Sequence, residues 1–223
     1  MDEQDYIQDL EKIAKVITQP FKNLPFSSVI RLLSGCKVLK FDHQNQDYKS
    51  LLSKLKSATE LAGSEAFRTG IFTKRPNEAG NKIEPFVKAA LRHTGLIADT
   101  PIAKNGKRKS TGYPDIQITY GNSQTAYLEC KTYNIKNINT SQRAFYFSPS
   151  KNFKVTNDAL HLMLSYQLVQ ETRDNKSAYV PVHWKILTLD SLTVDLKHEF
   201  NQSNVKMYGG KSEPNSVLAE GKV

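Results

Sequence analysis

Residues 114–131 read PDIQITYGNSQTAYLECK, and no other stretch of the sequence says as much about the fold. Polar and apolar side chains alternate over residues 115–120 and again over residues 126–131. Such alternation is the pattern of a β-strand that has one buried face. The pair Gly121-Asn122 lies between the two runs and is typical of a turn. We therefore predict a β-hairpin over this stretch.

The predicted hairpin brings three polar side chains to one end of a sheet. Side chains two positions apart on a strand share a face, so Glu129 and Lys131 project together. Leu128 and Cys130 then face the core. Asp115 directly follows a proline, which within a sheet marks an edge, a bulge or the start of a strand. Because the turn folds the strands back on each other, we expect Asp115, Glu129 and Lys131 to converge. Taken singly, each could instead belong to a surface salt bridge or a turn.

Two carboxylates and a lysine at one place suit the hydrolysis of a phosphodiester. Carboxylate oxygens are hard ligands for Mg²⁺, which also accepts phosphate oxygens. Mg²⁺ polarises a phosphodiester and lowers the pKa of a bound water. A lysine can place the attacking water and offset charge on the phosphate. We therefore expect Asp115 and Glu129 to bind Mg²⁺ and Lys131 to act on the water.

These residues resemble a known nuclease motif. Pro114-Asp115, thirteen further residues and then Glu129-Cys130-Lys131 are similar to the PD-(D/E)XK motif of the nuclease superfamily that contains most type II restriction endonucleases. Residues 80–87 resemble the helix that precedes the motif in many members, where a glutamate reaches the metal site. By this resemblance, Glu84 is a fourth catalytic candidate and a further metal ligand.

The resemblance is close over residues 78–135. Over residues 155–208 it extends only to the general pattern of the sequence. It implies a restriction-endonuclease-like fold, in which helices flank a central mixed β-sheet, and it implies products that carry 5′-phosphates. It also implies a homodimer that works on a palindromic site. A companion DNA methyltransferase that acts on the same site is left open.

Apolar residues recur at helical spacing in three stretches upstream of the hairpin. They predict helices over residues 3–17, 47–66 and 78–93. Gly95 follows the third stretch, where a glycine that ends a helix is expected.

Two further apolar stretches, residues 159–170 and 178–189, follow the hairpin. Leu162, Leu164, Tyr166 and Leu168 fall at every second position, which favours a second β-hairpin. A helix over residues 158–170 stays open as well, because Leu160, Met163, Leu164 and Gln167 fit helical spacing.

Helices followed by strands are typical of an α+β or mixed α/β protein. The chain has 223 residues and no internal repeat or low-complexity linker, which indicates one nuclease domain over residues 1–223. Within that domain we expect a helical N-terminal portion over residues 1–70. The catalytic and DNA-recognition core is expected over residues 78–208.

The composition points to a polyanionic partner. Thirty-one Lys and Arg residues against 22 Asp and Glu residues give a formal charge of +9. Nucleic acid is the first partner that such a surplus indicates, and an anionic membrane surface is the second. Two cysteines are too few for a disulfide framework or a structural zinc site. The first residues are acidic, unlike a signal peptide, and no apolar run reaches the ~18 residues of a membrane helix. We expect a cytoplasmic protein.

Basic residues cluster on both sides of the motif. Residues 104–109 contain four cations, and a loop there can follow the phosphate backbone. Residues 132–157 contain no acid, and their Arg, Lys, Asn and Gln side chains can read bases in the major groove. A similar polar run lies over residues 201–206. The predicted DNA-binding residues are Lys104, Lys107, Arg108, Lys109, Tyr133, Asn134, Lys136, Asn137, Asn139, Gln142, Arg143, Lys151, Asn152, Lys154, Asn201 and Asn204.

Together these features predict a type II restriction endonuclease that cuts double-stranded DNA at a short specific site with Mg²⁺. Two other functions stay open. One is a structure-selective repair nuclease or junction resolvase of the same superfamily, which reads a distorted backbone instead of a base sequence. The other is a non-catalytic DNA-binding protein whose metal site is vestigial.

Overall fold

The computed structural model describes residues 3–17, 19, 21–73, 78–137, 139, 145–146 and 152–196. The helices in these ranges are α1 (Glu3–Ile17), α2 (Phe26–Ser34), α3 (Gln46–Thr69) and α4 (Glu78–His93), with a 3₁₀ turn at Ile135–Asn137. The strands are β1 (Leu24–Pro25), β2 (Val38–Leu39), β3 (Ile97–Asp99), β4 (Ile116–Tyr120), β5 (Gln124–Tyr133), β6 (Ala159–Arg173), β7 (Lys176–Thr188) and β8 (Thr193–Val194).

The chain divides into two compact units. The larger unit comprises residues 25–193 and contains the whole predicted motif. The smaller unit comprises residues 1–24 and 194–223, and its helix is α1. The predicted single nuclease domain, with its boundaries at residues 70, 78 and 208, stays a prediction.

A mixed six-stranded sheet forms the centre of the larger unit. Its strand order is β2-β6-β5-β4-β3, and β7 pairs with β6. Strand β6 is parallel to β2 and β5, whereas the β3–β4, β4–β5 and β6–β7 pairs are antiparallel. Helices α3 and α4 pack on each other, and they contact β7 and β5 respectively. The predicted mixed sheet with flanking helices is confirmed.

Both predicted hairpins are present. In the first, Ile116 of β4 pairs with Leu128 of β5, and the two strands meet at a short turn. In the second, β6 and β7 meet at Asp174-Asn175, where both residues have a positive φ. The alternative of a helix over residues 158–170 is wrong. Strand β6 is hydrogen-bonded along both edges and nearly fully buried over its first half, so its apolar residues do not follow a one-sided pattern.

The three predicted helices are confirmed as α1, α3 and α4. Helix α3 begins after Asn45, whose side chain accepts hydrogen bonds from the backbone N–H groups of Asp47 and Tyr48. Gly95 follows α4 with a φ of 77°, as expected for a glycine that ends a helix. Helix α2 and the short strands β2 and β3 were not predicted. No helix among the described residues is both long enough and apolar enough to span a bilayer.

Strand β5 is covered on both faces, and this covering decides the character of the site. On one face, Leu128 and Cys130 join the core formed with α3 and α4. On the other face, Tyr127 packs against His161 of β6 with a ring-centroid distance of 5.1 Å. His161 also contacts the ring of Phe26 at the start of α2. A side chain in the middle of β5 is therefore buried whichever way it points.

Candidate active site

The β4–β5 hairpin brings the predicted acids together. Asp115 directly precedes β4, and its Oδ2 accepts a hydrogen bond of 2.9 Å from the backbone N–H of Cys130 in β5. Cys130 lies between Glu129 and Lys131, so this bond fixes Asp115 beside the strand that carries the other two motif residues. The predicted convergence of Asp115, Glu129 and Lys131 is therefore present in the structure.

Glu129 is more deeply buried than an exposed strand face allows. The residue is only 3% exposed, and its Oε1 lies 2.7 Å from the Nζ of Lys131. Its Oε2 is buried and has no hydrogen-bond partner among the described residues. Burial and the nearby charge of Asp115 outweigh the attraction of Lys131 and raise the pKa of Glu129 to about 7. The sequence predicted one buried face of this strand, whereas β5 is buried on both.

Asp115 is half-buried just before β4. Burial raises its pKa above the usual value, and the negative charge of Glu84 raises it further. The hydrogen bond from Cys130 and the charges of Lys131 and Lys154 act in the opposite direction. The nearby positive charges therefore lower the pKa values of Asp115 and Glu129 by less than burial and neighbouring acids raise them.

Helix α4 carries Glu84 towards this pair. Glu84 is close enough for its charge to raise the pKa of Asp115. Its Oε1 lies 2.5 Å from the Nζ of Lys88, one helical turn further along α4. Glu84 therefore belongs to the same group of charges, although its direct partner is a lysine of its own helix.

Lys154 is a candidate residue whose burial near the acids was not predicted from the sequence. It was predicted to contact DNA, but the structure places it in the interior with 3% exposure. Its Nζ donates hydrogen bonds to the backbone carbonyls of Ser110 and Gly112. Burial lowers its pKa to about 8, although Asp115, Glu129 and other acids nearby act to raise it. Lys154 belongs to no recognisable spacing pattern, so only the tertiary fold places it here.

A buried tyrosine and histidine support the chain just before Asp115. The hydroxyl of Tyr113 lies 2.6 Å from Nδ1 of His161, and the two rings are stacked. Burial lowers the pKa of His161 to about 3, so the imidazole is neutral. The pair links β6 to the loop that enters β4. This link is structural, since His161 is fully buried.

The donor set fits a hard divalent cation, although it does not form a ready-made coordination cluster. No group of three His, Cys, Asp or Glu side chains in the described ranges is arranged to hold a metal ion. Glu84 and Glu129 contact lysines, and Asp115 accepts a backbone N–H. Among the described residues, Oε2 of Glu129 nevertheless has no hydrogen-bond partner, and burial raises the pKa of both Glu129 and Asp115, so a bound cation would stabilise their charged forms. Phosphate oxygens from a substrate are common additional ligands of Mg²⁺ at such a site.

The predicted basic loop is a small hairpin. The backbone N–H of Ala103 bonds to the carbonyl of Lys107, and a bridge joins Ile102 to Arg108. Lys104 and Lys107 are exposed at its tip. Arg108 is also exposed, but its guanidinium lies 3.1 Å from a carboxylate oxygen of Asp99 and donates to a backbone carbonyl. Lys109 is half-buried.

The other predicted DNA-binding residues have mixed placements. Tyr133 and Asn134 are half-buried, and Lys136, Asn139 and Asn152 are exposed. Asn137 lies in the 3₁₀ turn that follows β5. The residues outside the described ranges are Gln142, Arg143, Lys151, Asn201 and Asn204.

Comparison with known proteins gives two matches that span most of the chain. The model of the Type II restriction enzyme MjaV family matches residues 20–211. The protein "Type II restriction enzyme MjaV" of Methanocaldococcus jannaschii is 40% identical over an alignment that spans 93% of this chain and 95% of the relative. The family match includes the β4–β5 hairpin, Glu84 and Lys154. A chain that carries these acids and matches over such a length belongs to the type II restriction enzyme MjaV family.

Proposed function

We propose that this protein hydrolyses phosphodiester bonds of double-stranded DNA at a short specific site, with Mg²⁺ and with 5′-phosphate products. Membership of a type II restriction enzyme family supports the class of reaction. The observation that carries the residue roles is the hydrogen bond from Cys130 to Asp115, because it joins the acids and Lys131 into one site.

Each residue of the site has a distinct role in this proposal. Asp115 and Glu129 would hold the metal ion, and Glu84 would assist from α4. When bound, Mg²⁺ supplies the positive charge that polarises the phosphodiester and acidifies water. The side chain of Lys131 is 22% exposed, so its ammonium can reach both the acids and the solvent side of the site. From there it can orient the attacking water and offset negative charge on the phosphate.

The two basic regions would bind the DNA. Lys104 and Lys107 at the tip of the basic hairpin would contact phosphates without reading sequence, and their exposure supports this role. The Arg, Asn, Gln and Lys side chains of the acid-free segment over residues 132–157, with the exception of the buried Lys154, and the polar run over residues 201–206 would read bases. Lys109 is half-buried and Arg108 forms an ion pair with Asp99, so these two cations would contribute less to DNA binding than Lys104 and Lys107.

We also propose a homodimer, because the described residues hold one set of motif acids whereas cutting a duplex requires two cleavages. Helix α1 offers a surface for a second copy. Its apolar side chains with exposed fractions of 46% to 62% are Tyr6, Ile7, Leu10, Ile13 and Val16.

The charges of α1 favour antiparallel pairing with the same helix of a second copy. The first part of the helix carries Asp5, Asp9 and Glu11, and the last part carries Lys12 and Lys15. An antiparallel pair places the acidic part of each helix opposite the basic part of the other.

The protein would work in the cytoplasm, where cellular DNA is cut unless it is protected. A companion methyltransferase that modifies the same site is the expected protection.

Digestion of supercoiled plasmid followed by sequencing of the ends tests this function. Discrete fragments with Mg²⁺, one common sequence at every end and ligatable 5′-phosphates are expected. Cleavage of four-way junctions or flaps, with plasmid duplex left intact, would instead indicate the structure-selective nuclease. An intact plasmid and intact junctions, with DNA still bound, would indicate a binding protein.

A further inference from the structure

We propose that Lys154 is a positioning residue of the active site, which holds the loop over residues 110–112 so that Asp115 meets β5. This inference rests on the proposed nuclease function. It assigns to Lys154 a role distinct from those of Asp115, Glu129 and Lys131.

The hydrogen bonds of Lys154 define this role. The ammonium donates to the carbonyl of Gly112, and it lies 3.4 Å from the carbonyl of Ser110. These two carbonyls belong to the loop that leads directly into Pro114-Asp115. One side chain thus holds the backbone on the N-terminal side of the first catalytic acid.

The backbone around Lys154 is itself held on several sides. The carbonyl of Phe153 accepts a hydrogen bond of 2.9 Å from the backbone N–H of Lys104 in the basic hairpin. The backbone N–H of Thr156 donates to the hydroxyl of Tyr127 in β5 at the same distance. Lys154 therefore projects from a segment that is attached both to the central sheet and to the basic hairpin. Such attachment lets its ammonium fix the position of the loop.

The loop also approaches other backbone closely. Gly112 has a φ of 83°, and a Cβ at this position would lie 3.1 Å from the carbonyl oxygen of Tyr146. The next residue, Tyr113, donates its backbone N–H to the same carbonyl at 3.0 Å. The loop is therefore held between Tyr146 and Lys154.

Charge explains why a lysine can be buried here. An ammonium loses much of its hydration when buried, and it needs carbonyl partners and nearby negative charge to remain there. Lys154 has both, because the charges of Asp115, Glu129 and Glu84 favour its protonated form. With 3% exposure it does not reach DNA directly, so its effect on the reaction passes through the loop and the acids.

Substitution of Lys154 by methionine tests the proposal, since methionine has a similar length but neither charge nor N–H donors. Val155→Ala is the matched control, because Val155 is buried in the same segment and its truncation removes only packing. For each variant we would measure single-turnover cleavage with Mg²⁺. Affinity in EDTA would be measured with a duplex that carries the site mapped from plasmid fragments. Thermal unfolding would report stability.

We expect Lys154→Met to cleave about 10- to 100-fold more slowly, because Asp115 is displaced from the reacting atoms. DNA affinity should stay within about twofold of the wild-type value, since Lys154 makes no contact with DNA. Val155→Ala should be destabilised but should cleave at a rate close to that of wild type.

Three outcomes would overturn the inference. They are a wild-type cleavage rate in a folded Lys154→Met, a loss of DNA affinity as large as the loss of rate, and an equal loss of rate in Val155→Ala. If Lys154→Met does not fold, Lys154→Gln decides, because glutamine is polar but neutral and too short to hold both carbonyls: slower cleavage at unchanged affinity supports positioning, and wild-type cleavage contradicts it. If wild-type protein cleaves no duplex at all, the proposed function itself fails.

Discussion

The carboxyl group of Glu129 is buried and lies near another acid, and one of its oxygens has no hydrogen-bond partner in the part of the chain that the structure describes. A single ammonium at 2.7 Å offsets only part of this cost. Such an arrangement is poor for stability and suitable for binding a cation. Strained or under-compensated charges are typical of functional sites, and here they mark the position where metal and phosphate would meet.

The raised pKa of Glu129 predicts how stability depends on pH in the absence of metal. The unfolded carboxyl releases its proton near 4.5 and the folded one near 7. The folded state therefore binds the proton more tightly, so the stability from this group is present below pH 4.5 and is lost as pH rises through 7. In EDTA, the free energy of unfolding of Glu129→Gln minus that of wild type should increase by about 1 to 3 kcal/mol between pH 4.5 and 8.

Urea unfolding at several pH values measures this difference. Glu60→Gln is the control, because Glu60 is exposed on α3 and its substitution removes a carboxyl that lies outside the site. A pH-independent difference for Glu129→Gln would show that this carboxyl has its ordinary pKa.

At the scale of elements, the β4–β5 hairpin was the part most completely predicted. Alternation and a turn pair specify such a hairpin locally, and they place Asp115, Glu129 and Lys131 without reference to the rest of the chain. Strand β6 was ambiguous, because partners on both edges and burial on both faces remove the one-sided pattern. Helix α2 has nine residues, and β2 and β3 have two and three, so local sequence carries little signal for them.

Lys154 shows where sequence reasoning stops. The residues around Lys154 in the sequence are basic and polar, which favours an exposed DNA-binding loop. The structure buries it, because its segment is attached to β5 through Tyr127 and to the basic hairpin through Lys104. Contacts between segments distant in sequence decided this placement, and no spacing rule describes them.

The basic hairpin gives a prediction about DNA affinity. Replacing Lys104 and Lys107 by alanine should weaken binding to all duplexes similarly and should reduce the slope of log K against log salt by about one for each lysine. The cut site should stay the same, because phosphate contacts carry no sequence information.

Fluorescence anisotropy across a salt series measures this effect. Lys185→Ala provides the control, since Lys185 is exposed on β7 and outside both proposed DNA-binding regions. An unchanged salt slope in the double variant would exclude the hairpin from the DNA interface.

At the scale of the whole molecule, the described residues of one chain contain one set of motif acids, whereas cleavage of both strands at a palindrome would need two active sites. We expect Leu10→Glu to shift the protein from dimer to monomer, because it places a charge in the apolar side of α1. Gln8→Glu, on the polar side of the same helix, should leave the dimer intact.

Light scattering coupled to gel filtration gives the mass of each variant. The monomeric variant should nick plasmid more readily than it linearises it, since each copy cuts one strand. A wild-type protein that is already monomeric, or a Leu10→Glu variant that stays dimeric, would remove α1 from the proposed interface.

The most direct test of the central claim compares wild-type protein with Lys131→Ala on plasmid DNA, in Mg²⁺ and in EDTA. The account predicts discrete fragments from wild type in Mg²⁺ only. It also predicts cleavage at least about 100-fold slower in Lys131→Ala, while a gel shift shows DNA still bound. Lys185→Ala should behave as wild type. Cleavage by Lys131→Ala at the wild-type rate would contradict the assignment of the active site to the β4–β5 hairpin.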